Sequence, residues 1–448
     1  MFDSLVRVNV ETELVPQLAN SWELSDDGML YTFNLNSGVT FHDGTAFNAE
    51  AVKFNIERHF DESLSTLYYD DMVQYVAGVE VVDEETVTIA MNEVYVNFPR
   101  DILAFGGGMM NSPSAIEAAG QDYAQDPVGT GPFIFDSFEQ DSHLIMTRNE
   151  AYFQGSPLLD SIRVRIIPEQ SVQIVELEAG NVDVGFSVQA KDIERLQNAG
   201  VEIVAQPAPT GTFISMNLAK GFTQELAVRQ AIAISVNREA VVSELLLGYG
   251  QLSRGGSPSG GGRSRYHVDL EMDVYDPEEA GRILDEAGWV MGNNGIRQRD
   301  GENLKVNVLS TQLERALSYG LMNEIIQQSI QEIGFETEIQ TMEWGAYLDE
   351  FRAGEWWEVS FHAQNASSRA TVGGTLDPDG FWNVNQHAKV IEGPLVEVAD
   401  QIRDQYDVMN RALDEQEAID AWKVVQELIQ EWQLISWLVH WAFLVAVS

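Results

Sequence analysis

From Leu30 to Asn36 the chain alternates: Tyr31, Phe33 and Leu35 are apolar, while Thr32, Asn34 and Asn36 are polar. A period of two predicts a half-buried strand. Ser37-Gly38 predicts a turn, after which Val39-Thr40-Phe41 resumes the alternation as a short strand. His42-Asp43-Gly44-Thr45 predicts a second turn, with Gly44 at positive φ. The period then lengthens. Asn48 precedes a run that sets Val52, Ile56 and Phe60 on one side, which predicts a capped helix. Two alternating runs between Val79 and Met91 flank Asp83-Glu84-Glu85 and predict a hairpin. Ile134–Phe138 and Leu144–Thr147 predict a strand pair. Arg163–Pro168, Thr212–Leu218, Leu304–Leu309 and Phe335–Gln340 predict further strands. Helices are predicted over Gln173–Ala179, in two pieces meeting at Asn237, after the cap at Asp276, over Leu321–Ile333, from Trp344, near 395–410 and over 416–431. The apolar run Leu434–Val447 is about 14 residues long, too short to span a bilayer as a helix, and predicts a buried strand. Strand and helix alternate throughout, which argues for an α/β fold with mixed sheets.

Size and charge narrow the partners. A chain of 448 residues has room for two or three domains, and 44% apolar composition marks it as globular. The formal net charge is −44, from 70 acidic and 26 basic residues. Such a field repels nucleic acid and anionic membranes, whose phosphates need clustered Lys and Arg. A solvated acidic surface keeps the chain soluble, and salt adaptation is one version of it, because salt screens like charges. No cysteine is present, so disulfides, thiolate catalysis and Cys-ligated metals are excluded. The seven histidines are scattered without an HExxH pattern, so no dedicated metal site is expected. Gly106-Gly107-Gly108 implies a tight backbone path, and it lacks the spacing of a phosphate loop.

Several longer stretches go beyond periodicity. Residues 30–58 read LYTFNLNSGVTFHDGTAFNAEAVKFNIER, and Leu14–Trp22 precedes them. Asp126–Phe153 reads DPVGTGPFIFDSFEQDSHLIMTRNEAYF; Leu226–Ala240 reads LAVRQAIAISVNREA; Tyr275-Asp276-Pro277 opens a helix ending at Gly288. The order of these motifs, over Phe2 to about Val445, resembles the solute-binding proteins of peptide, nickel and opine ABC importers. The resemblance implies a two-lobed, periplasmic-binding-protein-like α/β fold (class II) with mixed sheets and an extra subdomain in the first lobe. It places lobe I in residues 1–21, 141–212 and 434–448, the subdomain in 22–140 and lobe II in 219–430, with hinges near 212–218 and 430–435. Ligand would be enclosed between the lobes by hinge closure. It further implies an importer receptor, a monomer without cofactor, working with a permease and ATPase at the periplasm or cell surface. Signal sequence, lipid anchor and first strand are not matched, nor is the family's terminal segment, so a late start or a truncation is expected.

The candidate site follows from aromatics, one cation and the resemblance together. Trp344 and Trp382 are the first choices for cleft walls, since such clefts combine aromatic walls with a few polar groups. The family's peptide receptors hold the peptide ammonium with an Asp in a W-x-x-D loop. Here the loop reads HAQNASSRATVGGTLDPDGFW, with Ser367 or Gly374 at that position. Arg369 in this loop is a candidate partner for a solute carboxylate, because guanidinium matches carboxylate bidentately. Asn365, Asp377 and Asp379 are further candidates in or beside the loop. Phe186, Met109 and Met110 are placed on the facing side by the resemblance. A peptide-like or carboxylate-bearing solute is expected. Two alternatives stay open: a hydrolase acting through Asp377 and Asp379, and a chemosensory binding protein of the same fold.

Overall fold

The computed structural model describes residues 1–9, 13–64, 66–253, 270, 272–313, 317–365 and 394–448. Its contacts divide into two compact units: Met1–Pro168 with Asn410–Glu415, and Glu169–Met409 with Gln416–Ser448.

The first unit holds a four-stranded antiparallel sheet. Its strands are β1 (Ala19–Leu24), β2 (Leu30–Leu35), β3 (Val76–Asp83) and β4 (Thr86–Met91), in the order β1-β2-β4-β3. Tyr31, Phe33 and Leu35 are buried, as the alternation requires. Against this sheet packs α1 (Ala49–Glu57), whose Asn48 side chain accepts from the amide of Ala51 at 3.1 Å. Val52 and Ile56 are fully buried in the shared core. Each such side chain stabilises the unit by roughly 1.5–3 kcal/mol. The expected strand at Val39–Phe41 is a single bridge, Thr40 to Ala46. The turn at Gly44 (φ +82°) folds the chain straight back, so the run has no room for a longer ladder. A second, three-stranded sheet follows in order β5 (Phe133–Glu139), β6 (His143–Arg148), β7 (Ser161–Arg165).

The second unit is built on one seven-stranded mixed sheet. Its elements in chain order are α2 (Gln170–Glu178), β8 (Val184–Phe186), α3 (Ile193–Asn198), β9 (Glu202–Met216), α4 (Leu226–Ser235), β10 (Gly250–Leu252), α5 (Pro277–Glu286), β11 (Lys305–Thr311), α6 (Tyr319–Glu332), β12 (Glu336–Met342), α7 (Trp344–Ala353), β13 (Val359–Asn365), α8 (Pro394–Arg411), α9 (Glu415–Glu431) and β14 (Ile435–Val447). The sheet order is β8-β14-β9-β13-β11-β12, with β10 on β14. β11 runs parallel to both β12 and β13. The long strands β9 and β14 pair along their length, which is why 202–212 and 435–447 group with the second unit. Their ladder breaks its register between Pro207 and Phe213. There the Thr212 hydroxyl donates to the carbonyl of Val439 (2.7 Å) and accepts its amide (3.1 Å), splicing the ladder with a side chain.

The two faces of this sheet differ. Val306, Val308, Val359 and Phe361 share a core with α4, α5 and α6 residues such as Ala280, Met322 and Ile326. Leu309, on the opposite face, packs with Tyr347, Phe351 and Trp357 around α7. Buried Arg229 ties α4 to the start of β14, donating to the carbonyls of Thr223, Gln224, Trp432 and Gln433. Among the described residues no acid offsets its desolvation, and burial pushes its pKa down to about 10. Among the described residues no helix is long and apolar enough to cross a membrane.

Candidate functional site

The motif-rich stretches of the first unit meet at His42. Its backbone amide donates to the carbonyl of Gly129 at 2.9 Å. Its ring Nε2 lies 2.9 Å from the carbonyl of Gly131, and the amide of Gly129 points at Nδ1 at 3.4 Å. That pairing fixes a neutral ring with Nε2 protonated. Burial is the main cause of its lowered pKa. Asp43 accepts from the Ser112 hydroxyl at 2.5 Å and from Thr45 at 2.6 Å. Burial alone would raise Asp43, but these donors more than offset it and hold it below the usual carboxylate range. Gly131 is required by packing: a Cβ there would lie 2.6 Å from the backbone of Met1. The FHDG and GTGP sequences are thus a clasp whose polar atoms are spent on each other.

The second unit offers a different setting, at the carboxyl ends of three parallel strands. In an open α/β sheet that edge is where ligands bind. β11 ends in Ser310-Thr311, β12 in Met342 and β13 in Asn365. Trp344 follows directly on β12. Glu343 caps α7 by accepting from the amide of Gly345 at 2.9 Å, which sets Trp344 at the mouth of the helix. The indole stacks on Tyr347 (5.3 Å, 15°) and meets Tyr319 edge-on (6.1 Å, 83°). The Tyr319 hydroxyl accepts the amide of Ala363 at 3.1 Å, joining the start of α6 to the end of β13. Beneath them Trp437, Phe213 and His362 form a row across the sheet, paired register by register. His362 lies 2.8 Å from the Tyr347 hydroxyl, and complete burial pushes its pKa down to about 3, so it is neutral. Ser310, Thr311 and Ser215 are buried, and among the described residues their hydroxyls have no hydrogen-bond partner. The indole nitrogen of Trp437 is in the same state.

The residues expected from sequence fall in several places. Trp344 is half-buried at this edge. The backbone of Asn365 ends β13 beside it. Phe186 is 57% exposed on β8 and rests against Phe443 at 6.2 Å. β8 and β12 are opposite ends of the sheet order, so Phe186 and Trp344 are not brought together. In the first unit Met109 is exposed at the surface, while Met110 is sealed in the core at 0% exposure, enclosed by apolar neighbours around α1. Arg369, Asp377, Asp379 and Trp382 lie outside the described residues, with Ser367 and Gly374. Among the described residues no group of acids and histidines could hold a metal ion. Sequence reasoning passed over Thr311, Tyr319 and His362. The signal for Thr311 was present: the apolar alternation of β11 closes on two adjacent hydroxyls.

Comparison with known proteins gives the family and the fold. The family model for bacterial extracellular solute-binding proteins, family 5 (middle) matches residues 13–391. The di/tripeptide-binding protein 1 of Pseudomonas aeruginosa (strain UCBPP-PA14) is 27% identical over 404 residues, covering 85% of this chain and 72% of that protein. The glutathione-binding protein GsiB of Escherichia coli (strain K12) is 29% identical over 349 residues, covering 77% of this chain and 64% of that protein. Among solved structures, NikA of Brucella suis in complex with Fe(III)-EDTA superposes with a TM-score of 0.87 at 23% identity, covering all of this chain and 89% of that one. The oligopeptide-binding protein AppA of Bacillus subtilis with a nonapeptide gives 0.79 at 20% identity, covering 100% and 88%. These likenesses show the fold, which is the α/β, two-lobed fold expected from the sequence. The chain belongs to the bacterial extracellular solute-binding proteins of family 5.

Proposed function

We propose that this chain is the receptor of an ABC importer, capturing a peptide-like or carboxylate-bearing small solute and handing it to a membrane permease. It performs no chemistry of its own. The observation that carries the reading is the carboxyl edge of β11, β12 and β13, where Trp344 meets Tyr319 and β11 closes on two buried hydroxyls, Ser310 and Thr311, that have no partner among the described residues. Such an edge offers the aromatic wall and few polar groups that small-solute sites use. The relatives named for di/tripeptides and glutathione take carboxylate-bearing peptides, which supports the solute class. In this proposal Arg369 holds the carboxylate, and Trp344 and Trp382 cover the apolar part. The missing ammonium-binding Asp turns the site away from free-amine dipeptides. Bending near 212–218 and 430–435 accompanies capture, and the receptor works as a monomer at the periplasm or cell surface with its permease and ATPase.

Native mass spectrometry of the purified chain, followed by calorimetry with the co-purified solute, tests the proposal. Arg369→Ala is expected to weaken binding by about 2–5 kcal/mol, the cost of breaking a desolvated charge-assisted pair. Turnover of the solute, or tight binding of ordinary dipeptides that Arg369→Ala leaves intact, would overturn it.

A further inference from the structure

We propose that the first turn of α6, with Ser310 beneath it, is an anion subsite that takes a carboxylate of the solute. The inference deepens the receptor reading and rests on it. Along β11 Val306 and Val308 pack into the core with Met322, Ile326 and Ile330 of α6. A period of two puts Ser310 on that same face. Thr311 is the last residue of β11, and its carbonyl lies 3.7 Å from where a Cβ on Gly320 would stand. The strand end therefore adjoins the helix's first turn. Ser310 is 0% exposed and its hydroxyl has no partner.

The amide protons of that turn are unequally used. Tyr319 donates to Leu313, Leu321 to the Ser318 hydroxyl and Met322 to the Ser318 carbonyl. Gly320 is the first-turn position whose amide none of these contacts uses. Its glycine is also unexplained by packing. Its nearest neighbours to a Cβ lie at an ordinary 3.7 Å, and its φ is not positive. Glycine weakens a helix relative to alanine, so a residue here without steric need points to something that approaches the bare backbone. A 14-residue helix presents the positive end of its dipole at this place. A carboxylate over Gly320 would accept from its amide and from Ser310, with the Trp344–Tyr319 pair as the adjoining apolar wall. In a chain of net charge −44, a local positive end built from backbone adds to Arg369 a second group that favours an anion.

Calorimetry with N-acetyl-trialanine and its C-terminal amide, on the native chain and on Gly320→Ala, tests the subsite. The native chain is expected to favour the acid by about tenfold or more, as charge-assisted hydrogen bonds do over neutral ones. In Gly320→Ala that preference is expected to narrow severalfold, leaving only the part that Arg369 supplies. The amide's affinity should stay the same, and the melting temperature should hold or rise, since the methyl fits and alanine favours helix. Ser310→Ala should narrow the preference in the same direction. If Gly320→Ala keeps the full preference, the subsite is wrong and the receptor reading stands. If the native chain binds acid and amide equally, or neither, the carboxylate reading itself fails and the subsite with it.

Discussion

At the His42 turn, polar groups from residues 42–45, 112 and 129–131 satisfy one another. At the end of β11, Ser310 and Thr311 are buried as deeply as Ser112, yet their hydroxyls have no partner among the described residues. A buried polar group without a partner costs on the order of 1–3 kcal/mol, so the two regions are paid for differently. The clasp returns its desolvation cost in stability. The edge keeps the cost, and in the receptor proposal an incoming solute group offsets it. The contrast also separates the sequence that carries the resemblance from the sequence proposed to bind solute. Two of the stretches that carry the resemblance, FHDG and GTGP, hold parts of the first unit together, while the edge has no motif of its own.

The largest effect expected from this contrast is with acid. His42 and His362 are both kept neutral by burial, with pKa values below the ordinary 6.5, and His362 is pushed down to about 3. A depressed histidine pKa means that the unfolded chain binds more protons, so stability is full above about pH 6.5 and is lost as pH falls toward the folded value. His362 is completely buried and the more strongly depressed of the two, so it should resist longest. Histidine NMR during acid titration should show His42 protonating first, with the clasp opening before the second unit's sheet. Simultaneous loss would erase the distinction between the regions.

Next in size is His42→Ala. It leaves the Gly131 carbonyl and Gly129 amide without the ring, which should cost about 2–4 kcal/mol in urea unfolding. Solute affinity measured on the folded variant should be unchanged. Trp344→Ala should reverse that profile. It removes an indole from the edge and is expected to weaken solute binding by about 1.5–3 kcal/mol, the usual worth of a buried large apolar side chain. Some stability is lost too, because Trp344 stacks on Tyr347.

Much of the fold could be read in advance because its causes are local. Asn48 and Asp276 cap their helices through their own side chains, within three residues of the amides they hold. The alternation of Tyr31, Phe33 and Leu35 needs only the pleat and a core. The 39–41 strand was misjudged because two apolar residues suggest a ladder, whereas the turn at Gly44 leaves room for one bridge. What sequence reasoning missed joins distant parts of the chain. His42 meets Gly131 across 89 positions, and Thr212 meets Val439 across 227. No period or cap records such pairings. Of the proposed site, the sequence points to Trp344 because tryptophan stands out, whereas Tyr319 and Thr311 at the same edge of the sheet do not stand out.

The smallest expected effect is the sharpest test of the comparison. Thr311→Val replaces a buried hydroxyl that has no partner with a methyl of nearly the same shape. In the clasp the corresponding change, Ser112→Ala, removes a donor that holds Asp43, and should cost about 1–2 kcal/mol. At Thr311 there is no bond to lose. The apolar side chain escapes the desolvation cost, so the unliganded protein should gain up to about 1 kcal/mol, read as a shift of the urea midpoint at constant slope. The same substitution should weaken solute binding if the hydroxyl is reserved for the solute. A loss of stability like that of Ser112→Ala would mean that Thr311 is already satisfied, and that the edge and the clasp are built on the same principle.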